Sequence, residues 1–240
     1  IELPLRFSWA ISRGPCDVKK NLIVEYNSNS VLGLGEVAFN SRYGESLESI
    51  HKEFKKFVSI CPGSISTLAD LEPIFNKVDI STSLRFGIES AFIHNMAHIA
   101  EMSVTQIIGA NSLSKVKTSF SIPIMGPEKV AEFIKDNNLK RFSSLKLKVG
   151  GESDMDFLKE VHKNYDGPLR IDANEGWSNP DEVMNLLTGP LSKYNIDFLE
   201  QPFSSSSHEE YLKLKPISPV DIIADESITN GEVNRDLANQ

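Results

Sequence analysis

Four short apolar runs in the second half of the sequence each end in charged residues, and they recur at a nearly constant interval. The runs end at Lys148, Asp172, Glu200 and Asp225, which are separated by 24, 28 and 25 residues. This interval is about the length of one strand–helix–strand crossover between parallel strands. In a parallel barrel the carboxyl ends of successive strands converge on one face. The pattern therefore predicts that side chains remote in sequence meet around one substrate.

The spacing of apolar residues divides the chain into two predicted domains. Residues 1–115 contain strand-like runs around a polar turn at 27–30, a loop over 12–20 and several stretches of helical period, which is typical of an α+β domain. Residues 116–240 alternate between strand and helix, with strands near 118, 144, 168, 196 and 221. We therefore predict an α/β protein in which an α+β domain precedes the first five units of a TIM-like barrel, with the strands from the sixth onward absent.

Charge and hydropathy argue against several classes of function. Acidic residues outnumber basic ones by 33 to 25, the net charge is −8, and the basic residues form no run. A nucleic acid or an anionic membrane would therefore gain no electrostatic attraction. The sequence has no apolar stretch near the roughly 20 residues that span a bilayer, and its first residues lack a signal core. We expect a cytoplasmic homo-oligomer that binds a small molecule, with no nucleic-acid or membrane partner.

The charged residues at the run ends indicate a reaction class. Lys146 and Lys148 are two apart on a predicted strand, so their side chains share a face. Their mutual repulsion, burial and a nearby metal ion would lower a lysine pKa toward the roughly 7–8 of a general base. Asp172, Glu200 and Asp225 offer three carboxylates without thiolate or imidazole, which suits Mg²⁺. Such an ion would neutralise a substrate carboxylate and ease loss of the proton from the adjacent carbon.

Each of these residues also has an ordinary structural interpretation. A single acid after a strand is typical of a helix cap or a salt bridge, and a lysine pair on a strand is typical of a solvated face. The repetition of the pattern in consecutive units favours a site.

The same residues resemble the successive strand-end motifs of the enolase superfamily, in its muconate-lactonizing branch. That family has a capping domain and a modified (β/α)7β barrel, so the resemblance covers nearly the whole chain. The motifs that carry it are Lys146-Leu147-Lys148, Asp172-Ala173-Asn174-Glu175-Gly176-Trp177, Glu200-Gln201-Pro202 and Ala224-Asp225-Glu226-Ser227.

The resemblance implies a role for each matching residue. It makes Asp172, Glu200 and Asp225 the Mg²⁺ ligands and Lys148 the base that removes the α-proton. It makes Lys146 the electrostatic support of that base and a contact for the substrate carboxylate. The groups that it places behind the ligands and the base are Asn174 and Glu226.

A second resemblance concerns the substrate. The stretch Arg42-Tyr43-Gly44-Glu45 is similar to one that follows the third meander strand of dipeptide epimerases. It implies epimerisation of a dipeptide such as L-Ala-D/L-Glu through an ene-diolate, with Arg42 and Arg13 as substrate-binding residues. An ordinary strand end with an Arg42–Glu45 surface salt bridge accounts for the same stretch. An o-succinylbenzoate synthase or a cycloisomerase of the same superfamily is the alternative within this chemistry.

One part of the family pattern has no match. The family's opposite-face lysine on strand six and its specificity residues on strand eight would fall beyond Gln240. We therefore expect that these 240 residues alone do not complete a two-base reaction. A truncated, non-catalytic relative is the alternative from a different class of function.

Overall fold

The computed structural model describes residues 1–11, 14–63, 65–111, 115–150 and 153–228. The backbone groups into two compact units, one formed by residues 1–5 and 18–114 and the other by residues 6–17 and 115–240. Each unit has its own hydrophobic core. Among the helices within the described ranges, none has both the length and the apolar character needed to cross a membrane.

The chain begins with a pair of strands, β1 (Glu2–Ile11) and β2 (Gly14–Lys20), which form a two-stranded sheet. The predicted loop over 12–20 is therefore wrong for residues 14–20. Gly14 and Pro15 indicated a loop, but proline is tolerated near the start of a strand that has a free edge.

The next two strands form the predicted hairpin. β3 (Leu22–Ser28) pairs antiparallel with β4 (Val31–Val37), in a register that runs from Leu22 opposite Val37 to Ser28 opposite Val31. Asn29 and Ser30 connect the strands with φ values of 53° and 61°. Two positive φ values in a two-residue loop match a type I′ turn, whose twist suits the hairpin.

Helices complete the first unit and cover one face of the hairpin. The long helix α3 lies against β4, and its buried side chains join a core that includes Val24, Val37 and Phe75. The helices of this unit are α1 (Leu47–Ile60), α2 (Glu72–Val78), α3 (Thr82–Ile99) and α4 (Val104–Ile107). Short 3-10 turns lie at Ser41–Tyr43 and Leu68–Asp70.

Two glycines let β4 and α3 approach closely. A Cβ on Gly33 would lie 2.0 Å from the carbonyl oxygen of Ala91, and one on Gly35 would lie 1.9 Å from that of Gly87. Both clashes are with helix backbone, which cannot move aside as a flexible side chain does. The Gly33-Leu34-Gly35 sequence therefore serves helix–strand packing.

Two histidines of α3 bind the backbone of β4. The Leu34 N–H donates to His94 Nδ1 over 3.0 Å, and His98 Nδ1 lies 3.2 Å from the Leu32 carbonyl oxygen. These backbone groups belong to one strand of a two-stranded sheet, so the imidazoles provide partners that a third strand would otherwise supply.

The second unit contains the predicted β/α series. Its five strands form a parallel sheet in the order of the sequence, from β5 to β9. These strands are β5 (Ser119–Ile122), β6 (Ser144–Lys148), β7 (Leu169–Asp172), β8 (Ile196–Glu200) and β9 (Asp221–Ile223). The intervening helices are α5 (Pro127–Asp136), α6 (Asp154–Asn164), α7 (Pro180–Thr188) and α8 (His208–Leu214). The predicted α/β fold class is confirmed.

The strands of this sheet alternate between an apolar face and a charged one. Leu145 and Leu147 of β6 are fully buried in the core of the second unit, together with Ile171 and Leu199 of the next two strands. Lys146 and Lys148 occupy the alternate positions of β6, so their side chains lie on the opposite face from the leucines.

Candidate active site

The register of the sheet aligns the predicted strand-end residues. Lys148 is paired with Asp172, Asp172 with Glu200, and Glu200 with Ile223. Since all four strands run in the same direction, their last residues lie side by side at one edge of the sheet. The spacing seen in the sequence thus becomes a row of adjacent charged side chains, with Asp225 two residues beyond β9.

Ion pairs connect the two lysines to two of the acids. Lys146 Nζ lies 2.7 Å from Glu200 Oε1 and 3.0 Å from Asp172 Oδ2. Lys148 Nζ lies 2.9 Å from the same Asp172 Oδ2 and 2.6 Å from Asn174 Oδ1. The side chain of Asp172 is only 1% exposed. One buried carboxylate oxygen therefore accepts hydrogen bonds from both ammonium groups.

The surroundings of these groups shift their pKa values. Burial raises the pKa of Glu200; the hydrogen bond from Lys146 opposes this effect, while the charges of Asp172 and Asp225 add to it. Burial lowers the pKa of Lys146, but hydrogen bonds and charge from Glu200 and Asp172 outweigh it, so the pKa is raised. The carboxylate partners of Lys146 thus stabilise its ammonium form.

The remaining predicted residues of the second unit border this cluster. Asn174 Nδ2 donates to Glu226 Oε1 over 3.3 Å, and the Asn174 N–H donates to Asp172 Oδ1 over 3.0 Å. Glu226 is buried, whereas its neighbour Asp225 is exposed. Asn174 thus lies between Lys148, Asp172 and Glu226, and contacts all three.

The loops that follow β7 and β8 are joined by hydrogen bonds that the sequence analysis did not anticipate. The Glu175 N–H donates to the Gln201 carbonyl oxygen over 2.8 Å, and Glu175 Oε1 accepts from the Ser205 N–H at the same distance. Asn174, Glu175 and Gln201 have φ values of 45°, 65° and 41°. Non-glycine residues with positive φ at a strand end are typical of functional sites, and no composition or spacing signal marked Glu175 or Gln201.

The chain matches known proteins over most of its length. Residues 129–240 match the model of the enolase C-terminal domain-like family. A crystal structure of a dipeptide epimerase from Enterococcus faecalis, complexed with Mg and the dipeptide L-Leu-L-Tyr, superposes with a TM-score of 0.82 at 25% identity, covering 95% of this chain and 66% of that one. In residues 129–240 the chain is therefore similar to the enolase C-terminal domain-like family.

Two curated relatives show how much of a related protein this chain matches. An L-Ala-D/L-amino acid epimerase of Flavobacterium johnsoniae is 25% identical over 227 residues, which cover 94% of this chain. An L-Ala-D/L-Glu epimerase of Bacteroides thetaiotaomicron is 25% identical over 231 residues. The chain spans 66% of the first relative and 59% of the second.

The predicted cation ligands have the donor atoms that a hard cation prefers. Asp172, Glu200 and Asp225 offer oxygen atoms alone, which is the donor set that Mg²⁺ prefers. Within the part of the chain that the structure describes, no three histidine, cysteine or acidic side chains are placed to hold an ion together. Lys146 instead bridges Asp172 and Glu200. The donor types therefore suit Mg²⁺.

Two arginines, Arg13 and Arg42, are predicted to bind the substrate. Arg13 lies outside the residues that the structure describes. Arg42 lies in the first unit, in the 3-10 turn before α1, where its N–H donates to Asn40 Oδ1 over 3.0 Å. The role of both arginines in substrate binding stays a prediction.

Proposed function

We propose that this chain carries the lysine-and-carboxylate part of an Mg²⁺-dependent isomerase site, which removes the proton α to a carboxylate in a dipeptide such as L-Ala-D/L-Glu. The observation that carries the proposal is the contact of Lys146 and Lys148 with Asp172. These residues lie at the edge of the sheet where β8 ends in Glu200. The epimerase relatives support the choice of reaction, since the chain matches them over most of its length.

Asp172, Glu200 and Asp225 are the residues that would hold the cation. Their oxygens suit it, and the charges of Asp172 and Asp225 both contribute to the raised pKa of Glu200. When bound, the cation supplies positive charge that stabilises the negative charge developing on the substrate carboxylate.

Lys148 is the proposed base. In its neutral form, Nζ accepts the proton from the α-carbon of the substrate, and the electron pair of the broken C–H bond moves into the carboxylate to form an ene-diolate. The ammonium group that results already has acceptors, because Asp172 Oδ2 lies 2.9 Å away and Asn174 Oδ1 lies 2.6 Å away. These two oxygens thus stabilise the protonated product of the step and orient Nζ.

Lys146 has a different proposed role. It contacts two carboxylates, Asp172 and Glu200, and keeps a positive charge beside the base. We assign it to binding the substrate carboxylate and stabilising the ene-diolate electrostatically. Return of a proton to the opposite face of the α-carbon completes an inversion, and the family resemblance assigns that step to a lysine on a sixth barrel strand.

We also propose that Arg42 and Arg13 bind the anionic end of the dipeptide. An arginine recognises a carboxylate through two parallel hydrogen bonds, which suits the side chain of a C-terminal glutamate. Arg42→Ala should therefore raise the concentration of L-Ala-L-Glu needed for half-maximal rate more than that of an uncharged dipeptide.

Exchange of the substrate α-proton with solvent tests the proposed reaction. In deuterated water with Mg²⁺, the α-proton of L-Ala-L-Glu should be lost from the NMR spectrum, because Lys148 exchanges its protons with solvent even without a second base. Lys148→Ala should abolish the exchange. The matched control is Lys159→Ala, which removes an exposed lysine of α6 and should leave the rate unchanged. Exchange that survives in Lys148→Ala, or that is absent with every dipeptide offered to the unsubstituted chain, contradicts the proposal.

A further inference from the structure

Gln201 is a buried polar residue for which the proposed reaction gives no role. It directly follows Glu200, it is fully buried, and its φ of 41° lies in the left-handed region that glutamine rarely adopts. Its N–H donates to the carbonyl oxygen of Ile223, the last residue of β9, over 2.9 Å. The backbone of Gln201 therefore connects the end of β8 to the end of β9.

The side chain of Gln201 connects these strand ends a second time. Its Oε1 accepts from the Asp225 N–H over 2.8 Å and from the Ser227 N–H over 3.1 Å. Since backbone N–H groups can only donate, the carboxamide must present its oxygen to the 225–227 loop, and its NH₂ group must point away. The orientation of the amide is thus determined by the contacts.

The NH₂ group contacts the hydroxyl of Ser227 and also a second part of the chain. Gln201 Nε2 lies 2.7 Å from the Tyr211 hydroxyl, 3.0 Å from the Phe203 carbonyl oxygen and 2.8 Å from Ser227 Oγ. The Tyr211 hydroxyl in turn donates to the Phe203 carbonyl oxygen over 2.6 Å. Tyr211 and Phe203 are both buried. The carboxamide therefore ties the loop after β9 to the start of the loop after β8 and to α8.

These contacts act on the acids of the candidate site. Asp225 and Glu226 follow β9 without further strand pairing, so their placement depends on the loop that Gln201 holds. Glu226 contacts Asn174, and the charge of Asp225 acts on Glu200. A shift of this loop would change the position of one proposed cation ligand relative to the other two.

We propose that Gln201 is a positioning residue, whose carboxamide oxygen holds Asp225 and Glu226 in register with Glu200 and Asn174. The consequence for cation binding rests on the proposed function, but the effect on the loop does not. Groups behind metal ligands commonly change metal affinity by about 10–100-fold when they are replaced.

Amide hydrogen exchange at Asp225 and Ser227 tests the positioning role directly. Gln201→Met keeps the length of the side chain and removes the acceptor, so both amides should exchange on the order of tenfold faster. Gln201→Asn has a side chain one methylene shorter and should also make both amides exchange faster. This more conservative variant replaces Gln201→Met in the test if the methionine variant does not fold. Gln201→Glu retains an oxygen for the two N–H groups and should preserve more of their protection than the other two variants.

The matched control is Tyr165→Phe. It removes a buried hydroxyl that donates to the Phe142 carbonyl oxygen over 2.9 Å, in the same unit but with no contact to Gln201 among the described hydrogen bonds. It should lower stability without selective loss of protection at Asp225 and Ser227. If Gln201→Met and Gln201→Asn leave the two amides unchanged, or if Tyr165→Phe accelerates them equally, Gln201 is not a positioning residue.

A second readout separates this inference from the proposed function. Calorimetric titration with Mg²⁺ should show affinity about tenfold weaker in Gln201→Asn than in Tyr165→Phe. Equal affinities would overturn the link to the cation site. Absence of α-proton exchange in the unsubstituted chain would contradict the proposed reaction alone, because the amide exchange at Asp225 and Ser227 still decides the role of Gln201.

Discussion

At the scale of residues, the site depends on how one buried carboxylate is shared. Asp172 Oδ2 accepts from Lys146 and Lys148 at 3.0 and 2.9 Å, and Asp172 Oδ1 accepts from the Asn174 N–H. Two ammonium groups this close repel each other, so the carboxylate between them offsets a charge repulsion as well as making hydrogen bonds. The charge of Asp172 should therefore matter for folding as well as for catalysis.

Asp172→Asn should be strongly destabilising. The substitution keeps the shape of the side chain but leaves two partly buried ammonium groups without their shared anion, which should lower the free energy of unfolding by about 3 kcal/mol. The matched control is Asp197→Asn, which breaks a more exposed pair with Arg170 at 2.8 Å and should cost less than about 1 kcal/mol. Urea denaturation followed by circular dichroism measures both. Equal losses in the two variants would show that Asp172 is not the electrostatic centre of the cluster.

Ionisation of Tyr211 should lower the free energy of unfolding at alkaline pH. Burial raises the pKa of its hydroxyl from 10.0 to about 12, although the hydrogen bond that it accepts from the Phe203 N–H opposes the shift. The unfolded state ionises first, so the stabilisation is complete below about pH 10 and is lost between about pH 10 and pH 12. The difference in unfolding free energy between the unsubstituted chain and Tyr211→Phe should shrink from about pH 9 to about pH 11. A difference that stays constant over this range would contradict the raised pKa.

The identity of the charged residues was predictable, whereas their partners were not. Lys148, Asp172 and Glu200 were marked by the sequence because each ends an apolar run, and Lys146 because it lies two residues before Lys148. That Lys146 bridges two acids while Lys148 contacts one acid and an amide depends on strand register and on the loop after β7. Neither feature is encoded by spacing alone.

At the scale of elements, the spacing of apolar residues along the sequence was enough to predict most strands and helices of the second unit. The five described strands lie where the apolar runs do, and helices lie between them as the alternating pattern predicts. Strand β2 was missed because Gly14 and Pro15 are typical of loops. The pairing with β1 stabilises β2, and this contribution is not part of the local strand propensity of its residues.

The close contact between β4 and α3 gives a prediction for the first unit. Gly35→Ala should lower the free energy of unfolding by about 2–3 kcal/mol, since the new Cβ would lie 1.9 Å from the Gly87 carbonyl oxygen and one element must move. Gly63→Ala is the control, because a Cβ there meets nothing within 4 Å. Denaturant unfolding of the two variants makes the comparison. If Gly35→Ala is as stable as Gly63→Ala, the two elements do not pack as closely as the structure shows.

At the scale of the whole molecule, the chain consists of two units with separate cores, and the candidate site lies within the second. The five parallel strands bring their carboxyl ends to one edge in the order of the sequence. This topology converts intervals of 24, 28 and 25 residues into neighbouring side chains. The same topology accounts for the match to enolase-superfamily structures at about 25% identity. A shared fold constrains where the strand-end residues lie, and it constrains the other positions of the sequence less.

The proposed function depends most on Asp172, Glu200 and Asp225 holding a divalent cation beside Lys148. A crystal structure of the chain grown with Mn²⁺, with anomalous scattering to locate the ion, tests this claim most directly. We predict one ion at about 2.2 Å from a carboxylate oxygen of each acid, with Lys146 no longer bridging Asp172 and Glu200. An ion located elsewhere, or carboxylates that remain paired with the lysines at saturating Mn²⁺, would contradict it.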